Sequence, residues 1–411
     1  MSVAPDAVVS SVATKTASGG PTFQAIAAGL LAALVGFSSS VVVLAGLAGV
    51  GASPAEAASG LFALSVAMGV GGIWLSWRTR LPISIAWSTP GAALLATAGA
   101  VEGGFAAAVG AFIVVGVLIV VAGFWKPLGR WVAAIPGPLA NAMLAGVLLG
   151  FCLAPVRAVA DVPELALPIV IVWALVARFR RIWAVPVAVA LTVVLIAATG
   201  DIGFGDAATL LPQPLLIAPV FNLQALIGIA LPLFIVTMAS QNVTGMAVLG
   251  ANGYRPDASP LFRDTGILTL LAAPFGGHAI NLAAITAALC AGPEAHPDPA
   301  RRWWAAVSAG VAYIVFGLLA GAAVVVVTAS PPVLINAVAG LALLGAFGAA
   351  LMGAVAEPND REAALVTFVV TASGVTFFGI SGAFWGLIAG GAVYALARWR
   401  RADRDNAIRK N

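Results

Sequence analysis

Fourteen apolar runs, separated by short segments that carry nearly all the charge, constrain this chain more than any other feature. They fall near 23–50, 57–77, 83–101, 104–125, 132–154, 164–178, 183–200, 223–250, 259–274, 276–292, 302–328, 332–355, 362–378 and 380–398. A helix crossing the hydrocarbon of a bilayer needs roughly 20 apolar residues, and fewer where a half-helix is enclosed by protein. The 411 residues are 61% hydrophobic and 9% charged, against about 25% charged in a soluble domain. No water-facing surface can be built from that mixture, so lipid is the solvent. The expected fold class is an all-α membrane protein with fourteen transmembrane helices.

Loop charge tests the count. With the N-terminus placed in the cytoplasm, 19 of the 20 Lys and Arg residues fall on the inner side and one, Arg157, on the outer side. A miscount in the middle would scramble that alternation, so the positive-inside rule predicts both termini cytoplasmic, in a bacterial inner membrane. Trp77, Trp125, Trp131, Trp183, Trp303, Trp304 and Trp399 stand at run ends near Arg or Lys, where an interfacial belt is expected.

Other classes find little support. Cys152 and Cys290 are isolated in apolar runs, with neither disulfide nor zinc spacing. Lys15, Lys126 and Lys410 lack a P-loop glycine frame, and Gly203-x-Gly205 is a loop rather than a dinucleotide fingerprint. Neither a cofactor, a metal nor nucleic acid is expected, and an enzyme would need more than one histidine at membrane depth. Residues 1–21 read as a disordered cytoplasmic tail without a cleavable signal, and 399–411 as a basic cytoplasmic tail.

An internal repeat is visible. Ile135-Pro-Gly-Pro-Leu-Ala-Asn-Ala-Met-Leu-Ala-Gly-Val-Leu-Leu-Gly150 matches Ser330-Pro-Pro-Val-Leu-Ile-Asn-Ala-Val-Ala-Gly-Leu-Ala-Leu-Leu-Gly345. The two segments lie seven runs apart, and an odd separation makes the copies antiparallel. Such a 7+7 inverted repeat is a signature of secondary transporters. The third and tenth runs each carry a break, expected as an extended piece at 83–87 and at 272–275 before a short helix. Ser88 or Thr89 is the expected N-cap, followed by Pro90, and Gly276 and Gly277 allow close backbone approach. Two helix N-termini meeting at mid-membrane would make an anion site without Lys or Arg.

The polar residues inside the runs are candidates to face the solute. Gln241 and Asn242 are costly in lipid unless hydrogen-bonded, so they contact either a ligand or a broken helix. His278 is the titratable candidate at membrane depth. It reads either as a proton-coupling or substrate-binding residue or as a neutral group satisfying a broken backbone. Asn281, three residues on, is expected on the same helix face. Ser88, Thr89, Ser40, Gly276 and Gly277 complete the polar candidates, with Trp87, Phe37 and Phe275 as an aromatic lining.

These segments resemble one family. Phe37-Ser-Ser-Ser-Val-Val-Val, Ala86-Trp-Ser-Thr-Pro-Gly-Ala-Ala-Leu-Leu, Ser240-Gln-Asn-Val-Thr-Gly, Pro274-Phe-Gly-Gly-His-Ala-Ile-Asn-Leu-Ala-Ala-Ile-Thr and Ala356-Glu-Pro-Asn-Asp-Arg-Glu, with the Pro-Gly-Pro segment above, are similar to the benzoate/proton symporter family. The resemblance implies a fold like uracil permease and the sulfate-type carriers. In that fold a core domain (22–126 and 223–329) moves against a gate domain (127–222 and 330–398), elevator-fashion. It implies proton-coupled uptake of benzoate or a similar small aromatic carboxylate, in contact with membrane lipid; a homodimer is one assembly it allows. A nucleobase or inorganic-anion permease of the same fold is the alternative. Nucleobase members place glutamates in the eighth and tenth spans, and this chain has none there, so their proton site does not transfer.

Overall fold

The computed structural model describes residues 20–99, 101–125, 136–199, 210–378 and 380–410. Most of the tail 1–21, Lys126, Trp131 and Gly203-x-Gly205 lie outside the described residues. Each of the fourteen apolar runs contains a helical element. The first holds α1 (Phe23–Phe37) and α2 (Ser40–Gly49), the second α3 (Pro54–Thr79), the third β1 (Ile85–Trp87) and α4 (Thr89–Ala98), and the fourth α5 (Gly104–Phe124). Then come α6 (Gly137–Asp161), α7 (Pro163–Arg180) and α8 (Ala184–Thr199).

The second half repeats the plan. The eighth run is one long helix, α9 (Leu223–Ala251). It is followed by α10 (Ala258–Ala272), β2 (Ile280–Leu282) with α11 (Ile285–Ala291), α12 (Trp303–Gly317) with α13 (Ala320–Ala329), α14 (Pro332–Ala354), α15 (Arg361–Ala372) and α16 (Gly382–Lys410). Among the described residues, seven helical stretches are individually long and apolar enough to cross a bilayer, and α12 with α13 adds a span bent by 57°.

Local sequence accounts for the ends. Ser53 and Glu56 form a reciprocal capping box ahead of Pro54, satisfying donors that lipid could not. At the other end of α3, Arg80 adopts a left-handed conformation (φ 57°), and its guanidinium lies 4.4 Å over the Trp303 ring. Trp303 is buried and stacked on Trp304 at 4.1 Å, so it serves packing rather than the expected belt. Trp77, Trp125, Trp183 and Trp399 are exposed.

Small residues set the helix crossings. A Cβ on Gly69 would meet the Gly310 carbonyl at 2.5 Å, and one on Gly310 would meet that of Gly69 at 2.6 Å. The backbones of α3 and α12 therefore touch, as close packing in lipid requires. The repeat-related α6 and α14 pack on each other along their length, where the Asn141 amide abuts Gly353; Asn336 is exposed.

Two boundaries depart from expectation. The thirteenth helix ends at Ala372, and an isolated bridge between Phe377 and Ile380 turns the chain into α16. That last helix then runs unbroken to Lys410 instead of stopping where the basic tail begins.

The short α11 is held at its C-terminus by Arg302, which is 7% exposed. Its guanidinium donates to the carbonyls of Ala291 (2.9 Å) and His296 (2.7 Å). A cation satisfying the last carbonyls of a helix complements its dipole. Arg302→Met keeps the volume but strands these acceptors. The expected result is a loss of about 3 kcal/mol of stability, read as a lower midpoint of thermal unfolding in detergent. An unchanged midpoint would show that water replaces the guanidinium.

Candidate functional site

The two broken runs meet in the middle of the molecule as a two-stranded antiparallel clasp. Ile85 pairs with Leu282, Ala86 with Asn281 and Trp87 with Ile280. Outside the strands the ladder continues through Ser88 N–H to Ala279 O (3.0 Å) and Ala283 N–H to Ser84 O (2.9 Å). Thr269 Oγ1 brackets β2, accepting from Ile280 N–H at 3.0 Å and lying 3.3 Å from Ile280 O. Unwound backbone at membrane depth is tolerated where protein satisfies it.

Ser88 is the knot of this clasp. Its hydroxyl accepts from Gly91 N–H (3.1 Å) and from Thr237 Oγ1 (3.0 Å). Its carbonyl accepts from Ala92 N–H (2.8 Å) and faces His278 Nε2 at 3.0 Å. The Asn281 amide, oriented so that both its groups are satisfied, accepts from Ser88 N–H at 3.0 Å and donates to Leu282 O at 2.9 Å. Ser88 is thus the expected N-cap, and with it buried and fully engaged, its polar atoms join three spans.

The tenth run corrects the expected register. The extended piece is Ile280–Leu282, not 272–275, and the helix starts at Ile285, not at Gly276. Pro274 sits in a tight turn, Ala273–Phe275, that closes α10, and Gly276 ends it at φ 90°. Phe275, Gly276 and Gly277 therefore form a turn beside the start of α3. Ser59 Oγ donates to Phe275 O at 2.9 Å, and a Cβ on Gly60 would meet Gly276 O at 2.6 Å. His278 and Asn281 flank and join a strand and share no helix face. The His278 ring is fully buried with its edge toward Phe112 at 6.3 Å, and its Nδ1 has no partner among the described residues.

The N-terminus of α4 is partly capped from within. Gly91 and Ala92 donate to Ser88, and Pro90 has no N–H. The Thr89 N–H is left with no acceptor among the described residues. Thr89 Oγ1 lies 3.4 Å from Ser39 Oγ, at the break between α1 and α2. Ser39 Oγ in turn donates to Gly36 O (2.7 Å) and accepts from Trp87 Nε1 (3.0 Å). Trp87 lies 6.1 Å from the Phe37 ring and 6.5 Å from Tyr313, and Phe37 is 5.3 Å from Phe316. Ser39, not Ser40, is the serine that faces the half-helix; Phe37 and Ser40 border a separate apolar cavity. The three-serine run signalled a polar patch, but the helix break decides which hydroxyl points inward.

Across from Thr89, α9 unwinds into a π-helical turn, Thr237–Asn242. Such turns insert an extra residue and re-aim side chains, often at functional sites. Asn242 is consumed structurally: its Oδ1 accepts from Leu282 N–H at 2.9 Å, and its Nδ2 contacts Met238 Sδ at 3.2 Å. Gln241 differs. It is 9% exposed, yet no protein group hydrogen-bonds its amide among the described residues. It follows Thr237, which holds Ser88, by about one turn. The arrangement offers Thr89 N–H and the Gln241 amide as free hydrogen-bonding groups, with Thr89 Oγ1 in a long contact to Ser39 (3.4 Å), beside an aromatic cluster and without a charged side chain among the described residues. An anionic or polar head can be met by oriented dipoles here, and an apolar body by rings.

Inverted repeats, crossed half-helices and a chargeless polar centre define a membrane transporter. Solved structures share the fold. The transmembrane domain of the cyanobacterial bicarbonate transporter BicA matches over 91% of this chain and 96% of that one, with a TM-score of 0.58 and 16% identity. The murine anion transporter Slc26a9 in its inward-facing state matches over 94% and 70%, with a TM-score of 0.59 and 13% identity.

Residues 21–396 match the family model described as benzoate membrane transport protein, and the chain belongs to that family. It is 42% identical to the inner membrane protein YdcO of Escherichia coli, over 90% of this chain and 94% of that protein. It is 33% identical to the benzoate membrane transport protein of Acinetobacter baylyi, over 91% and 95%.

Proposed function

We propose that this chain takes up benzoate or a similar aromatic carboxylate together with a proton, across a bacterial inner membrane. The reading includes fourteen crossings, cytoplasmic termini and an elevator-type motion of the core spans 1–4 and 8–11 against the gate spans 5–7 and 12–14. The observation that carries the site is Gln241, a largely buried residue (9% exposed) whose amide has no protein hydrogen-bond partner among the described residues. A carboxylate seated between Gln241 and Thr89 gives that amide a hydrogen bond to a charged group, worth about 1.5–3 kcal/mol. Its ring then meets Trp87. The family match and the A. baylyi relative supply the substrate class.

His278 is the proposed coupling group. Its Nε2 is tied to Ser88 O, at the cap of the half-helix, and its Nδ1 is unpartnered. One proton per carboxylate makes the cycle electroneutral, so a pH gradient drives accumulation without a membrane potential.

Uptake of labelled benzoate into proteoliposomes, inside alkaline, tests the proposal. Uncharged benzoic acid crosses lipid unaided, so protein-free liposomes give the background. The expected result is saturable uptake above that background, competed by ring-substituted benzoates. The inorganic-anion alternative rests on the shared fold alone. Saturable bicarbonate or uracil uptake without benzoate uptake overturns the proposal.

A further inference from the structure

A cavity of about 430 Å³ lies on the far side of Phe37 from the half-helix site, between the first and eleventh runs on one side and the seventh and twelfth on the other. Leu34, Phe37, Val41 and Leu44 line it from the first run, at helical spacing, so it borders the face of that span opposite Ser39. Both spans that bound it from the core side are broken, at Ser38–Ser39 and at Leu318–Leu319. The second of these breaks is the 57° bend between α12 and α13, and Leu319, Ala322 and Ala323, at and beyond it, line the cavity.

The chemistry of the walls is narrow. No charged side chain lines the cavity, and its polar side chains are Ser38, Ser40 and Thr192. Ser38 Oγ donates to Val35 O at 2.6 Å and Thr192 Oγ1 to Ala188 O at 2.8 Å, so both are satisfied. Ser40 is 6% exposed and its hydroxyl has no partner among the described residues. A carboxylate would lose its hydration here for a single hydroxyl, so the cavity rejects the anion. An apolar cavity about a third of this size is enough to hold a benzene ring.

We infer that this cavity is a second site, which binds an uncharged aromatic molecule with one hydrogen-bonding group set against Ser40. Its position between core spans (first and eleventh) and gate spans (seventh and twelfth) makes the occupant a wedge, so binding slows any transport that requires them to slide. The binding itself is independent of the proposed function; the slowing rests on it.

Photolabelling with a diazirine-bearing benzyl alcohol, on the full chain in phosphatidylcholine–phosphatidylglycerol vesicles, tests the site directly. Adducts mapped by mass spectrometry are expected on cavity residues such as Val326 and Val338, and are competed by benzyl alcohol but not by benzoate. Ala323→Leu fills the cavity and is expected to reduce that labelling about tenfold, with Val326→Phe as a second filling variant. Ser40→Ala is expected to weaken competition by benzyl alcohol about three- to tenfold. Adducts scattered over lipid-facing residues, competition by long-chain fatty acids alone, or labelling indifferent to both filling variants overturns the inference. Where uptake of benzoate is measurable, benzyl alcohol is expected to slow it in the parent protein and not in Ala323→Leu; equal slowing in both removes the wedge but not the site. Absence of benzoate uptake with intact labelling would sink the proposed substrate and leave this site standing.

Discussion

Gln241→Ala is expected to raise the KM for benzoate uptake by about 10- to 100-fold while leaving the unfolding midpoint unchanged. A hydrogen bond to a charged group is worth about 1.5–3 kcal/mol, and each 1.4 kcal/mol is tenfold in affinity. No protein partner among the described residues is orphaned by the truncation, so stability has nothing to lose. Asn242→Ala, one residue on, should behave oppositely. It strands Leu282 N–H, buried in the clasp, and should lower stability by about 1–3 kcal/mol. If the two variants exchange these phenotypes, the assignment of ligand and structural roles within the π-helical turn is wrong. Gln241→Glu is the sharper variant. It keeps the shape and sets a carboxylate where the substrate's carboxylate is proposed to sit, so uptake should fall below detection at a pH where both are ionised.

The contrast between these neighbours shows where sequence reading stops. Two adjacent amides inside an apolar run announce a polar site, because lipid tolerates neither alone. Which of them meets a ligand depends on the extra residue of the π-helical turn, and no spacing in Ser-Gln-Asn-Val-Thr-Gly encodes it. The third run was more legible. Ser88 is the expected N-cap with Pro90 in the first turn, and the strand before them lies within the extended piece read at 83–87. The tenth run misled because Pro274-Phe-Gly-Gly looks like the same opening. In the fold those residues close α10, and the pairing partner of β1 is the plain apolar segment Ile280-Asn-Leu282. A strand that short is specified by its partner and not by its own residues. The inverted repeat held the missing clue, since the antiparallel copy of a strand at 85–87 had to lie where it could pair with it.

The overall plan was legible for a simpler reason. Run length is read by the bilayer itself, through hydrophobic thickness and backbone satisfaction, and it is run length that located the helices. Breaks within runs follow from tertiary contacts instead. Nothing in Gly317-Leu-Leu-Ala-Gly321 distinguishes a bend of 57° from the straight course of α5.

His278→Gln and His278→Ala are expected to part company, and the difference isolates the proton. A glutamine amide can still donate to Ser88 O, so the clasp and the cap of α4 survive, whereas alanine removes the bond and leaves a cavity against Phe112. If His278 carries the coupled proton, His278→Gln should keep exchange of internal for external benzoate at matched pH, which needs binding and sliding but no net proton movement. It should lose accumulation under a pH gradient, which for one proton per carboxylate is about tenfold per pH unit in the parent protein. His278→Ala should lose both, because its defect is in the scaffold. Working well above the carboxylic pKa keeps the uncharged fraction, and hence the leak through lipid, small. Full gradient-driven accumulation by His278→Gln would move the proton elsewhere and leave His278 as the residue that positions Ser88. The substrate carboxylate would then be the natural carrier of its own proton, since no other acidic or imidazole side chain lies in the described site.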